Sequence, residues 1–457
     1  MLKTSQLLAS LYDSLYELLT HTPPGAVSTD LSKHKDTIRV QMTQNEVLNL
    51  DDYEGALSGD KPDGDLAKAE AFSTFVDNVP NLDGAQWAPT KGLAKFYQNM
   101  VSGANVNPDL LPSEEQEALY KKLQGLLRQE IETTSILGKK TVSIVDSPPY
   151  TAYKSAKEAY TKALLDAAQV VVNADLSTNA GKRQASIDKR RADIEVNARY
   201  NDWVAAGKSD VEEVLDALES IKNNAISAAV NDAKTIMNDT KWIPSGSELS
   251  PPWMLASATP SNWTEPTCKG TTLSLSSDSL KTSTNSTANT YADNSQGWFW
   301  WSDSSSSGST ETKDVEMDTN SFKLSAELVL VRVQRPWLNE LLFTMKGWST
   351  NAYSKEKPIS DGKGGGALPG IPIAFVMARN VTITTKFSES ASNFIHSKSE
   401  TTSNGGWGWG PFGGSKNHST SDSTTDKFSQ DGDTFTLSFS QPQLIAWISS
   451  LVPACPP

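Results

Sequence analysis

Cysteine is nearly absent from this chain: 457 residues contain two, Cys268 and Cys455. A disulfide scaffold is thereby excluded, leaving at most one bridge between the start and the end of the C-terminal half. Histidine is scarce as well. His21, His34, His396 and His418 are scattered without ligand spacing, so no zinc site and no other cofactor is expected. No stretch approaches the roughly 18 uncharged apolar residues that a membrane-crossing helix needs. The leucine-rich start places Leu7, Leu8, Leu11, Leu15, Leu18 and Leu19 on one helical face. Asp13 and Glu17 interrupt any export-signal core there, so the chain reads as soluble as made.

Positive charge is in deficit, with 41 Lys and Arg against 54 Asp and Glu and a net charge of −13. Nucleic acid is excluded as a partner, because its recognition needs a basic face. Simple electrostatic attraction to anionic lipid is excluded for the same reason. The one basic run, Lys182-Arg183 through Lys189-Arg190-Arg191, is mixed with Asp188 and Asp193 and reads as a solvated helix face. Catalytic signatures are also missing. Ser32 and Lys35 form an S-x-x-K match without its companion motifs. "DGKGGGALPG", from residue 361, has its lysine ahead of the glycines and is not a phosphate loop. "DKPDGD" and "SQDGDT" lack the ligand order of a calcium loop. The expectation is a non-enzymatic protein.

What is present falls into two halves. Residues 1–241 read as an α-helical domain. Ser113 with Glu114, Glu115 and Gln116 is a capping-box start, followed by Leu119, Leu123, Leu126 and Leu127 as a buried stripe. Residues 150–174 and 183–206 have no internal proline and form a helical hairpin broken at "STNAG". Tyr153, Ala156, Tyr160, Ala163, Leu164 and Ala167 are its expected contacts on one arm, and Ile187, Ile194, Tyr200, Trp203 and Val204 on the other. Gly207 suits a C-cap, and Val211, Val214, Leu215, Leu218 and Ile221 open a third helix.

From Trp242 onward Gly, Ser and Thr crowd in, and 11 of the 13 tryptophans lie there. Residues 242–270 read as a linker and entry segment, and 271–457 as a β-rich domain. Period-two alternation marks strands at 324–333, 381–387 and 435–439. The closing "QLIAWISSLVPACPP" suits a buried strand or short helix, and Trp337, Trp348 and Trp447 are expected in the core. The fold class is therefore α+β, with two domains.

A tandem pseudo-repeat, 271–342 and 379–448, organises the β half. Each copy runs from a strand ("TTLSLS", "NVTITT") through a polar arm, an aromatic tip and a second polar arm to a returning strand. With Pro336 set against Pro442, Val329, Val331 and Val333 align with Phe435, Leu437 and Phe439. The tips are "SQGWFWWSDSSSSGS" and "SNGGWGWGPFGGS", carrying Trp298, Phe299, Trp300 and Trp301 in one and Trp407, Trp409 and Phe412 in the other. Disordered arms, rings folded back on the core and ordered projecting hairpins are the three options. Bare tryptophan in water is a liability, which favours hairpins. Arms of about 15–20 residues would reach roughly 50–65 Å at about 3.3 Å per residue. Gly406, Gly408 and Gly410 are expected to turn the backbone and present the rings.

Three partners fit such tips: a membrane interface, neighbouring copies of the chain, and, more weakly, a glycan face. The arms lack the alternate apolar residues of a transmembrane strand. The sequence thus points to docking on a membrane or similar surface, with toxin-like or pore-associated behaviour as an extension. The alternative is a self-assembling structural subunit whose tips lock into neighbouring copies.

Overall fold

The computed structural model describes residues 38–59, 61–84, 86–106, 114–134, 140–172, 179–221, 226–238, 241–247, 250–276, 299–303, 310–313, 316–354, 356–387, 405–415, 427–431, 434–439 and 441–456. A few isolated positions before residue 17 and between 389 and 393 are also described. Among these residues the helices of the first half are α1 (Leu66–Val76), α2 (Leu93–Ser102), α3 (Glu114–Leu127), α4 (Pro148–Val172), α5 (Asn179–Ala205), α6 (Lys208–Ile221) and α7 (Ile226–Ile236). The principal strands are β1 (Leu2–Lys3), β2 (Ile38–Val47), β3 (Ser257–Thr259), β4 (Thr271–Ser276), β5 (Phe299–Asp303), β6 (Thr310–Lys313), β7 (Glu316–Gln334), β8 (Gly370–Phe387), β9 (Gly405–Trp409), β10 (Phe412–Ser415), β11 (Lys427–Asp431), β12 (Thr434–Phe439) and β13 (Gln443–Leu451). The architecture is α+β around a large antiparallel sheet.

Two long strands form the spine of this nine-stranded sheet. β7 and β8 pair antiparallel from Met317↔Phe387 to Arg332↔Ala374. Each then divides its outer edge among several partners. β7 takes β1, β4 and β3 in turn along its length, and β8 takes β12 and then β13. Pro372 lies in β8 beside a register shift, the position where a residue without an N–H is tolerated in a ladder.

The inner half of β8 is buried on both faces. Along β8, Ala374, Val376 and Ala378 enter one core, while Phe375 and Met377 enter another. β7 divides likewise, with Leu324, Ala326 and Leu328 on one side and Val329, Val331 and Val333 on the other. A strand wet on neither face has no polar alternation, so "IPIAFVMA" carries no period-two signal for its own strand.

The expected division at residue 241 does not separate the cores. β2 comes from the first half, yet it pairs with β13 at the sheet edge. Ile38, Val40 and Met42 are buried there on a period of two, which departs from the helical reading of 1–241. Arg128–Thr134 and Lys140–Asp146 also form a two-stranded ribbon inside that half. In the other direction, Trp337, Leu342, Phe343, Trp348 and Val452 pack into the same core as Leu93, Tyr97, Tyr120 and Ala229. Trp337, Trp348 and Trp447 are all buried. Cys268 and Cys455 are free thiols in separate cores, so the single bridge left open by the sequence is not formed.

The helical hairpin is α4 and α5. Tyr153, Tyr160, Ala163 and Leu164 are buried, and the Trp203 ring stacks on Tyr160 at 5.4 Å. Ile187, Ile194 and Val204 are exposed, at 49%, 63% and 46%, contrary to their expected contact role. α5 instead carries a polar outer face tied by one-turn pairs such as Lys189–Asp193 and Arg199–Glu195. On α3, Leu119 and Leu126 are exposed while Leu127 is buried. Gly207 has φ +85°, the left-handed conformation of a C-cap, between α5 and α6. α1 starts at Asp65, whose carboxylate accepts from the Ala67 and Lys68 amides at 2.8 and 3.1 Å.

One ion pair locks the β7–β8 ladder where it bulges. Glu327 and Arg379 are register partners and bond through both carboxylate oxygens, at 2.8 and 3.0 Å. The Gly270 amide adds a bond to Glu327 at 2.7 Å, and a Cβ on Gly270 would meet the Leu328 carbonyl at 2.5 Å. Hydrogen bonding to Arg379 is the main reason the Glu327 carboxyl is held down at about 2, with burial opposing it. Ionised Glu327 therefore stabilises the fold above the ordinary carboxyl value, and this contribution fades as pH falls from there towards about 2. A Glu327→Gln variant is expected to be less stable at neutral pH and to lose less stability on acidification. Thermal unfolding midpoints between about pH 7 and 2.5 measure this, and parallel curves for the two proteins would refute it.

Candidate functional site

The aromatic segments occupy one element. β5 and β9 pair antiparallel, with Phe299 opposite Trp409, Trp300 opposite Gly408 and Trp301 opposite Trp407. β6 adds on the β5 side and β10 on the β9 side, giving a four-stranded sheet in the order β6–β5–β9–β10. Segments more than a hundred residues apart in sequence thus share a single ladder. Trp298 and much of the polar arms lie outside the described residues, as do all four histidines, Ser32 and Lys35.

β9 and β10 form a two-residue hairpin in which Trp409 pairs with Phe412 across Gly410-Pro411. Gly410 adopts φ +58°, as the first position of a II′-type turn requires, and proline suits the second. Gly406 and Gly408 are strand residues rather than turn residues, which corrects the expectation that all three glycines turn the chain.

The hairpin is held against the main sheet. Trp409 and Phe412 are each 0% exposed, so these two rings are not free at a projecting tip. Both belong to the core formed by β7, β8, β12 and β13. Trp409 lies 5.8 Å from Phe322 and stacks on Phe412, with an interplanar angle of 5°. Phe412 in turn stacks on Phe439 at 6.4 Å. The physical reason is area: an aromatic ring removes roughly 150–250 Å² from water when buried, and the apolar face of the sheet lies within reach.

A polar clamp fixes the register of this contact. The Gly413 amide donates to Gln443 Oε1, and Gln443 Nε2 donates to the Gly413 carbonyl, both at 2.8 Å. Gln443 is itself 0% exposed and opens β13. A side-chain amide bonding both groups of one residue imitates a neighbouring strand. Gln443 and Phe322 carry no functional signal in the sequence, and Phe439 reads there only as part of the 435–439 strand and the repeat. The indole N–H of Trp409 is sealed without an acceptor among the described residues, a cost of about 1–3 kcal/mol.

Charge is sparse in this sheet. β9 and β10 carry no ionisable residue, and the others are Asp303 at the end of β5 with Glu311 and Lys313 on β6. Elsewhere, the glycine-rich 361–366 segment is a surface turn. Asp361 accepts from the Lys363 and Gly365 amides at 2.7 and 2.8 Å, bonds that hold its carboxyl below the usual value. Gly362, Gly364 and Gly366 have positive φ there. Among the described residues, no group of three His, Cys, Asp or Glu could hold a metal ion. No described helix is long and apolar enough to cross a membrane. No protein family, characterised protein or solved structure matches this chain.

Proposed function

We propose that the protein is a non-enzymatic docking protein whose paired aromatic sheet is its contact element for a membrane interface. The observation that carries this reading is the shared ladder of β5 and β9, which gathers two distant aromatic segments at one place. Trp409 and Phe412 serve as its anchors on the body, and Trp300, out of phase with Trp409 in the ladder, serves with its near neighbour Trp298 as its contact. Tryptophan favours the headgroup region because its ring is apolar and its N–H finds acceptors there. The low charge of the sheet suits uncharged lipid. Toxin-like or pore-associated behaviour would be a later step from the same docked state.

Flotation with phosphatidylcholine vesicles tests the proposal. The protein is expected to float, with its tryptophan emission shifted to the blue. The double variant Trp298→Ser, Trp300→Ser leaves both anchors in place and is expected to keep its circular dichroism. Half-burying one ring, about 100 Å², contributes roughly 2.5 kcal/mol, so losing two should reduce partitioning by more than about a hundredfold. A wild-type protein that stays with the soluble fraction refutes the membrane reading, as does a double variant that floats equally well. Defined particles in lipid-free buffer, lost in the same variant, would assign the sheet to contacts between copies instead.

A further inference from the structure

A cavity of about 630 Å³ lies between the end of α1, the start of α2 and the chain around residues 250–256, remote in sequence from the aromatic segments. Its walls include Trp242, Trp253, Trp337, Met254, Pro251 and Pro252. Volumes of roughly 300–1,000 Å³ with apolar walls and a few polar groups are typical of small-molecule sites. The charged residues around it are Lys91, Lys95, Arg335, Glu70 and Asp77. Three cations against two carboxylates leave one net positive charge.

The carboxylates are already engaged. Asp77 accepts from the Ala94 amide at 2.7 Å, at the start of α2, and Glu70 accepts from the Ser245 hydroxyl and the Gly246 amide. The cations bond neutral acceptors instead. Lys91 donates to the Thr74 and Phe75 carbonyls, Lys95 to Gln98 Oε1, and Arg335 to the Pro372 and Val76 carbonyls. None of the three forms an ion pair within 4 Å among the described residues, although Asp77 attracts Arg335 and Lys91 through space.

Three buried N–H groups on the same lining lack an acceptor: Arg335 Nε, Trp253 Nε1 and Trp337 Nε1. The residues that carry them are 9%, 7% and 2% exposed. Buried indoles at Trp203, Trp409 and Trp447 are in the same condition, and none of them lines this cavity. All three are donors, so the group they lack is an acceptor. Each N–H is sealed in the present arrangement, so an indole reaches an acceptor in the cavity by a turn of its ring, while Arg335, held by the Pro372 and Val76 carbonyls, contributes its charge from its fixed position.

We propose that this cavity binds a small organic monoacid, a carboxylate on an apolar body, with its oxygens on the Arg335–Lys95 side and its body against the tryptophans. A single negative charge balances the lining, a carboxylate supplies several acceptor sites to donors that have none, and the aromatic walls take the rest. A cationic ligand would meet Lys91, Lys95 and Arg335 unfavourably.

Titration calorimetry of the full chain with naphthaleneacetate and octanoate, each beside its uncharged alcohol, tests this. At least one acid is expected to bind about tenfold or more tightly than its alcohol, the weight of one charge-assisted hydrogen bond. Lys95→Gln should weaken that acid by about three- to tenfold and leave the alcohol unchanged. Ala94→Leu, which narrows the cavity from its wall, should weaken binding of both while circular dichroism stays native. If that variant fails to fold, the Lys95→Gln variant and the acid–alcohol comparison decide. Equal affinity for acid and alcohol, no heat from either acid, or acid binding unaffected by Lys95→Gln overturns the proposal.

Discussion

Replacing Phe412 by alanine is expected to lower the unfolding free energy by about 3–5 kcal/mol, the range for losing a fully buried phenylalanine. The ring is 0% exposed and is stacked between Trp409 and Phe439. The space it leaves cannot close easily. On one side lies the main sheet, fixed by its ladders, and on the other a hairpin whose Gly413 is clamped by Gln443. The cavity term therefore adds to the transfer term. The effect should also be local in its first stage, because Phe412, Trp409 and Gln443 hold this hairpin to the body. Proteolytic cutting within 405–415 is expected to accelerate under conditions where the rest of the chain stays folded. Gln443→Ala should do the same, because it takes their side-chain partner from the buried Gly413 N–H and C=O, at about 1–3 kcal/mol each. Urea midpoints and the order of proteolytic fragments measure both. A Phe412→Ala protein within about 1 kcal/mol of wild type, cut no faster at the hairpin, would show that the ring does not anchor it.

Arg335→Met is expected to be as damaging, by about 3–5 kcal/mol, for a different reason. Arg335 follows the end of β7, and its guanidinium is buried. One nitrogen donates to the carbonyl of Val76, the last residue of α1, and another to that of Pro372 at the β8 irregularity, each at 2.6 Å. The Val76 carbonyl sits at the negative end of a helix, where a cation is favoured. Methionine would fill similar volume yet leave two buried acceptors unsatisfied, at about 1–3 kcal/mol each. Lysine should recover little, because a single ammonium lacks the planar fork that spans two carbonyls. Burial, opposed by Asp77 and Glu340, pushes the guanidinium down to about 10, so it remains charged at neutral pH. Equilibrium unfolding of the three proteins measures this. A methionine variant as stable as wild type would mean that the carbonyls find other partners.

The helical hairpin was legible because two runs free of proline with apolar residues at helical spacing are a local signal, and they fold as α4 and α5. β7, β12 and the outer half of β8 were legible from alternation for the same reason. β2 carried such alternation in Ile38, Val40 and Met42, and the helical character around it concealed the signal. The inner half of β8 carried none, since both its faces are dry.

The candidate site divides in the same way. The aromatic residues stood out by composition, whereas the pairing of Phe299 with Trp409, the clamp of Gln443 on Gly413 and the cavity walled by Trp253 and Trp337 had no trace in any local window. The helical hairpin, the alternating strands, the acidic balance, the scarcity of cysteine and the aromatic segments are each written locally, through periodicity, charge or ring content. Which strands are neighbours, the joining of the two aromatic segments in one sheet and the burial of Trp409 and Phe412 emerge only in the folded chain. Those outcomes depend on free energies of contact between residues tens to hundreds of positions apart. Local periodicity fixes which face of an element is apolar but leaves open what covers it.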